Sequence, residues 1–183
     1  MIDSYIPNEY FKSIQDIDYS ALIERGIKVL FFDLDNTLAD YATKHAPVIL
    51  VETINLIKEK GLKPIIISNN HKGRVDLIAK DLDIAYLNDT FKPFTFRIKW
   101  YMKKHSYKKE EIAWVGDQLM TDIKIAHKLN IYSILVDPIR PETEKWYTRI
   151  NRMFERNKIR SIKKKRLSSY NSLGLEDRLD GRN

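Results

Sequence analysis

FFDLDNTLAD, residues 31–40, is the stretch on which the reading of this chain turns. The apolar run Val29-Leu30-Phe31-Phe32 ends in two aspartates one residue apart, Asp33 and Asp35, and Asn36-Thr37 follows where the chain must turn. Two carboxylates at the end of a buried strand repel one another, and both lose hydration near the interior. A cation, or a reaction that uses the charge, has to offset that cost.

Outward from this stretch, short β-rich apolar runs recur at 28–33, 63–68, 84–87, 112–116 and 132–137. Their continuous apolar character suits parallel strands covered on both faces. Helical patterns lie between them: 47–60 closed by Gly61, then Val75, Ile78, Ala79 and Leu82, then Phe94, Ile98, Tyr101 and Met102, then Ile125, Ala126 and Leu129. Strand-helix alternation predicts right-handed βαβ crossovers and a doubly wound, three-layer α/β/α domain of Rossmann-like form with a parallel sheet.

Ligands of such sheets bind at the carboxyl ends of the strands. The residues predicted there are Asp33 and Asp35, then Ser68-Asn69-Asn70, then Gly116-Asp117, with Lys92 just beyond the third strand and Asp137 after the last. Asp33, Asp35 and Asp117 are hard oxygen ligands of the kind Mg²⁺ prefers, and Mn²⁺ suits them equally. Lys92, Ser68 and the backbone N–H groups after Asp33 can hold phosphoryl oxygens. A carboxylate can attack phosphorus, and a second one two residues on can serve the leaving group and then water as acid and base. His45, His71, His105 and His127 show no ligand spacing and read as surface residues.

Asp33-Leu34-Asp35-Asn36-Thr37-Leu38, Ser68-Asn69-Asn70, Lys92-Pro93 and Gly116-Asp117-Gln118-Leu119-Met120-Thr121-Asp122 resemble, in order, motifs I to IV of the haloacid-dehalogenase-like (HAD) phosphatases. The similarity is closer to the YqeG-type, phosphatidylglycerophosphatase-like members of subclass IIIA, running from Pro7 to about Arg152. The resemblance implies an Mg²⁺-dependent phosphomonoesterase working through an aspartyl-phosphate. Asp33 would be nucleophile and metal ligand. Asp35 would be acid/base and give the metal its backbone carbonyl. Ser68 and Lys92 would orient and neutralise the phosphoryl group. Asp117 would ligate the metal and Asp122 would support it, although Asp122 also reads as a helix N-cap. Asn36, Thr37, Asn69 and Asn70 complete the set as substrate contacts. Phe91 departs from the small or basic residue expected before Lys92, which bears on pocket shape. The implied substrate is phosphatidylglycerophosphate, in anionic phospholipid synthesis.

Spacing adds that no sizeable cap domain fits between 33 and 68 or between 70 and 92, so the site should be open to a large or surface-bound ester. The 183 residues suit one core, and there is no cysteine, which fits a reducing cytoplasm. No apolar run approaches the ~20 residues of a membrane span, and the N-terminus carries no signal-peptide pattern. Residues 1–157 are expected to form the phosphatase core, with an N-terminal extension and a docking helix marked by Trp146, Ile150, Met153 and Phe154. Residues 158–183 read as a basic tail open to disorder.

Of the net charge of +7, residues 149–166 hold nine Lys/Arg against Glu155 alone, which leaves the rest of the chain near −1. Such a segment is suited to peripheral contact with an anionic membrane at its inner face, or to nucleic acid. Two alternatives stand beside the lipid reading: a phosphatase of soluble sugar or nucleotide phosphates, and a basic RNA- or ribosome-associated protein with a secondary HAD core.

Overall fold

The computed structural model describes residues 2–143 and 146–180; the side chains of residues 143–150 and 180 lie outside that description. Six parallel strands form one sheet: β1 Glu9–Phe11, β2 Val29–Phe32, β3 Lys63–Ile67, β4 Ala85–Leu87, β5 Ile112–Gly116 and β6 Tyr132–Val136. The spatial order is β1-β6-β5-β2-β3-β4. From β2 the chain winds outward through β3 and β4, and from β5 it winds the other way through β6. The gap between β2 and β5 is therefore the switch point of the sheet, where ligands of doubly wound folds bind. Val29 to Phe32 pair in register with Ile112 to Val115, so Asp33 and Asp117 leave adjacent strands at the same edge.

Among the described residues, eight α-helices complete the layers: α1 Tyr19–Glu24, α2 Val48–Glu59, α3 Lys72–Leu82, α4 Phe96–Lys104, α5 Lys124–Leu129, α6 Trp146–Lys165, α7 Leu167–Ser172 and α8 Glu176–Asp180. Strand β2 shows why its run is apolar throughout. Leu30 and Phe32 enter the core beneath α1–α3, while Val29 and Phe31 enter the opposite core with Trp114, Ile98 and Tyr101. Burial of each such side chain contributes roughly 1.5–3 kcal/mol. Only a turn and α2 separate β2 from β3, and only α3 separates β3 from β4, so neither connection carries a cap domain.

Three elements differ from the sequence expectation. Edge strand β1 is only three residues long, too short for a periodicity to mark it. Helix α4 begins at Phe96, after the turn that holds Phe94, whose ring is exposed rather than packed. Residues 158–180, read as a tail open to disorder, instead form the end of α6 and helices α7 and α8. Ile159, Ile162, Tyr170 and Leu175 are buried there with Leu119, Ile123 and Leu135 in a third apolar cluster. The basic density conceals that stripe, because long cationic side chains drape over apolar neighbours: Lys158 lies 4.8 Å over the Tyr5 ring and Lys163 5.3 Å over Tyr170. The docking contacts expected of Trp146 and Ile150 lie outside the described residues, and Met153 and Phe154 are exposed. Among the described residues no helix is long and apolar enough to cross a membrane.

Candidate active site

At the end of β2, the Asp33 N–H donates to the Val115 carbonyl at 2.9 Å, which carries the ladder one residue further. The chain then closes on itself. Leu38 and Ala39 N–H groups bond the Leu34 carbonyl at 3.0 and 3.1 Å, and Asn36 adopts φ +61°. Asparagine tolerates that left-handed conformation better than most residues. The turn directs both Asp33 and Asp35 into a cleft of about 260 Å³, lined also by Asn69, Asn70, Lys92 and Gln118. A larger recess of about 460 Å³, between residues 12–15, the motif-I turn and residues 137–139, is lined by neither Asp33 nor Asp35, its carboxylates being Asp40 and Asp137.

Lys92 is fixed by its backbone. The Asn69 amide accepts from Lys92 N–H at 2.7 Å and donates to the Lys92 carbonyl at 3.2 Å. The ammonium group is buried; it donates to Asp33 Oδ1 and, at 2.9 Å, to Asp122 Oδ1. Asp122 belongs to the π-helical turn Leu119–Ile123 and is not its N-cap, although its Oδ2 accepts from Gln118 N–H at 3.2 Å. It reaches the site because residue 116 is glycine. A Cβ there would stand 2.4 Å from Asp122 Cγ, so any side chain would displace the carboxylate. One oxygen each of Asp33, Asp117 and Asp122 lies within 4.8 Å of the others, and all three residues are buried.

Burial pushes the Asp33 carboxyl well above the usual range; Lys92 opposes this, while Asp122, Asp117 and Asp35 add to it. Burial likewise raises Asp117, to about 6, against the pull of Arg152. For Lys92, burial would lower the value, but Asp122 and Asp33 outweigh it and hold the ammonium charged. Three crowded, oxygen-only carboxylates are a donor set suited to a hard divalent cation.

Asp33, Asp35, Asn69, Asn70 and Lys92 line one cleft, and Asp33 also meets Asp117 and Asp122 in the carboxylate group. The Asp35 carboxylate lies outside the three-carboxylate group: it pairs with Arg74 and accepts from Asn70 Nδ2 at 2.6 Å. Three expected contacts do not line the cleft. The Asn36 amide oxygen accepts from Arg140 N–H at 3.2 Å, Thr37 Oγ1 donates to Asp117 at 3.3 Å, and buried Ser68 Oγ accepts from Asn70 N–H at 3.1 Å.

Sequence reading missed the three arginines around these carboxylates. Arg74 holds Asp35. Arg152 pairs with the Asp117 carboxylate and donates to its carbonyl at 2.7 Å. Arg178, from α8, also reaches the Asp117 carbonyl. The one available signal was Glu155, the lone acid of the basic run. It accepts from Arg152 at 3.2 Å and from Arg178 Nε at 2.7 Å.

Residues 3–140 match the family model described as mitochondrial PGP phosphatase. The chain belongs to this family. It is 34% identical over 161 residues to the "Probable phosphatase YqeG" of Bacillus subtilis (strain 168), covering 88% of this chain and 93% of that one. Among solved structures, an uncharacterized protein from Listeria monocytogenes serotype 4b aligns with TM-score 0.53 at 17% identity, over 64% of this chain and 81% of that chain. A "predicted HAD-like family hydrolase" from Porphyromonas gingivalis aligns with TM-score 0.51 at 12% identity, over 70% and 98%. At these identities the structural matches speak for the fold alone. The protein is thus a phosphatase of the PGP phosphatase family, similar to YqeG, with the α/β/α core its sequence predicts.

Proposed function

We propose that the chain hydrolyses the phosphomonoester of phosphatidylglycerophosphate through an aspartyl-phosphate on Asp33, with Mg²⁺ held by Asp33, Asp117 and Asp122. The observation that carries this reading is the meeting of Asp33, Lys92 and Asp122 at the switch point of the sheet, beside an open cleft.

An Asp33 carboxylate oxygen forms the bond to phosphorus as the ester P–O bond breaks, and Asp35, having taken up a proton from solvent, gives it to the leaving alkoxide. Asp35 then takes a proton from water, whose oxygen attacks phosphorus and breaks the Asp33–phosphorus bond, releasing phosphate and restoring Asp33. Lys92 shares its ammonium donors between these carboxylates and the phosphoryl oxygens, while Asn70 and Arg74 hold Asp35 in place. Bound Mg²⁺ would supply charge neutralisation at the phosphoryl group and oppose the repulsion among the three carboxylates.

A polar cleft of about 260 Å³ lies below the roughly 300–1,000 Å³ usual for drug-sized ligands. It suits a phosphorylated headgroup whose remaining bulk stays outside, as a lipid's acyl chains would. The family description supports the same substrate.

The test is Mg²⁺-dependent phosphate release from phosphatidylglycerophosphate in mixed micelles beside a panel of soluble sugar and nucleotide phosphates, with Asp33→Asn as control. Turnover of the lipid well above the panel, lost in Asp33→Asn, is the expected result. Turnover of soluble esters alone would discard the lipid and keep the chemistry.

A further inference from the structure

The segment that begins beside Lys92, a residue of the cleft, carries a surface that the overall charge balance conceals. Between residues 91 and 107 the sequence holds five Lys/Arg and no Asp or Glu. Four large aromatic side chains of the same segment stand in solvent: Phe91 is 56% exposed, Phe94 65%, Phe96 61% and Trp100 57%. Scattered exposed apolar residues are ordinary, but four aromatics within ten residues are not. Helix α4 explains part of the arrangement. It buries Ile98 and Tyr101 against the sheet and so turns Phe96, Lys99, Trp100 and Lys103 outward, with Lys104 stacked 5.1 Å over the Trp100 ring.

The turn before α4 is held against its own preference. Phe91 sits at φ +55°, a left-handed conformation that is an outlier for a bulky residue, and the Phe94 N–H bonds the Phe91 carbonyl at 2.9 Å. The result is a knuckle with an aromatic ring on each side of Lys92, whose ammonium points inward to Asp33. Strain combined with solvent-exposed rings disfavours the free protein twice over, and such outliers collect where a binding partner uses them.

We propose that residues 91–104 are the membrane-docking face of this phosphatase: the rings of Phe91, Phe94, Phe96 and Trp100 enter the headgroup region of an anionic bilayer, while Lys99, Lys103 and Lys104 pair with its phosphates. Aromatic side chains favour that interfacial depth, and basic residues beside them favour anionic lipid. The charge complementarity is one-sided, since no acid in the segment opposes it. The face adjoins the cleft, so docking would bring headgroups to the entrance at which Lys92 and Asp33 stand. This deepens, and rests on, the reading of a lipid-borne substrate. It also places the membrane contact away from the C-terminal helices, where Arg152 pairs with Asp117 and Arg166 with Asp3.

The experiment is flotation of the full chain with vesicles of phosphatidylglycerol and phosphatidylcholine, against pure phosphatidylcholine and a single-stranded RNA. The wild type is compared with Phe94→Ser/Trp100→Ser, with Lys103→Glu/Lys104→Glu, and with Lys164→Glu/Lys165→Glu in the C-terminal basic run. Hydrolysis of a small chromogenic phosphate reports that each variant is folded. The expected result is binding to the anionic vesicles that weakens at least tenfold in the first two variants and stays within twofold in the third, with soluble turnover unchanged in all. Loss of vesicle binding only in the third variant would overturn the proposal in favour of the C-terminal helices. Retention by RNA but not by vesicles would overturn it in favour of nucleic acid, and no vesicle binding by the wild type would refute it outright. Turnover of phosphatidylglycerophosphate in detergent micelles, where no bilayer is needed, separates these failures from a wrong substrate.

Discussion

Two buried clusters of charge flank Asp117, and they are built on opposite principles. On the cleft side, Asp33, Asp117 and Asp122 face Lys92, with Arg152 as a further partner of Asp117. On the far side, Asp137 and Glu155 face Arg178 and the same Arg152, and Tyr10 Oη donates to Asp137 at 2.8 Å. The far cluster is closer to balance: its two acids have Arg178 to themselves and share Arg152 with Asp117. The near cluster has an excess of carboxylate beside an open cleft. A balanced buried cluster is a structural device, whereas an unbalanced one implies a ligand that completes it.

The largest expected effect would break this contrast if it failed. Asp33→Asn should lower kcat/KM by at least ~10³-fold, on the order of 4 kcal/mol of transition-state stabilisation. The same variant should melt, in chelator, no lower than the wild type, because burial already disfavours the Asp33 carboxylate. A variant that unfolded instead would make the near cluster structural too.

Arg178→Met should do the reverse. It leaves Glu155 and Asp137 short of a cation in the interior, at a cost of roughly 3–5 kcal/mol. Denaturant melts should record that loss, while kcat/KM of the folded fraction should change less than tenfold.

A pH series sharpens the contrast further. The folded pKa of Asp117, about 6, lies above its ordinary 3.8, so the protonated folded form is favoured. Its stabilising contribution is fully present below pH ~4 and is lost as pH rises through about 6, amounting to about 3 kcal/mol at ~1.4 kcal/mol per unit. Denaturation of metal-free protein between pH 4 and 7 should show this decline. Saturating Mg²⁺ should flatten it, since ligation needs the carboxylates ionised, and Asp117→Asn should lessen it without metal, leaving the share of Asp33. The smallest effect is expected for Tyr10→Phe, which removes one hydrogen bond to Asp137: about 1 kcal/mol in a thermal melt, with turnover unchanged.

The same contrast explains what could be read in advance. The near cluster is carried by residues at strand ends, each beside a strand whose apolar run is visible in the sequence, so Asp33, Lys92 and Asp117 could be found one at a time. Asp122 was legible only through the motif resemblance, and the missing Cβ of Gly116 is what admits it. The far cluster joins Tyr10, Asp137, Glu155 and Arg178, residues up to 168 positions apart with no periodicity to link them. Averaging concealed the basic, aromatic face at 91–104, because acids elsewhere cancel its charge in the total.

By itself, then, the sequence determined the strand-helix alternation, the parallel sheet, the absence of a cap and the carboxylates at the switch point, because each follows from local pattern and short spacing. Only the tertiary structure decided that the basic C-terminus folds back to grip Asp117, which backbone and side-chain groups Asn36, Thr37 and Ser68 bond, and which aromatic rings stay in solvent. Those outcomes depend on which distant side chains meet once the chain is packed. Burial then rewards a charge only where a partner is already in place.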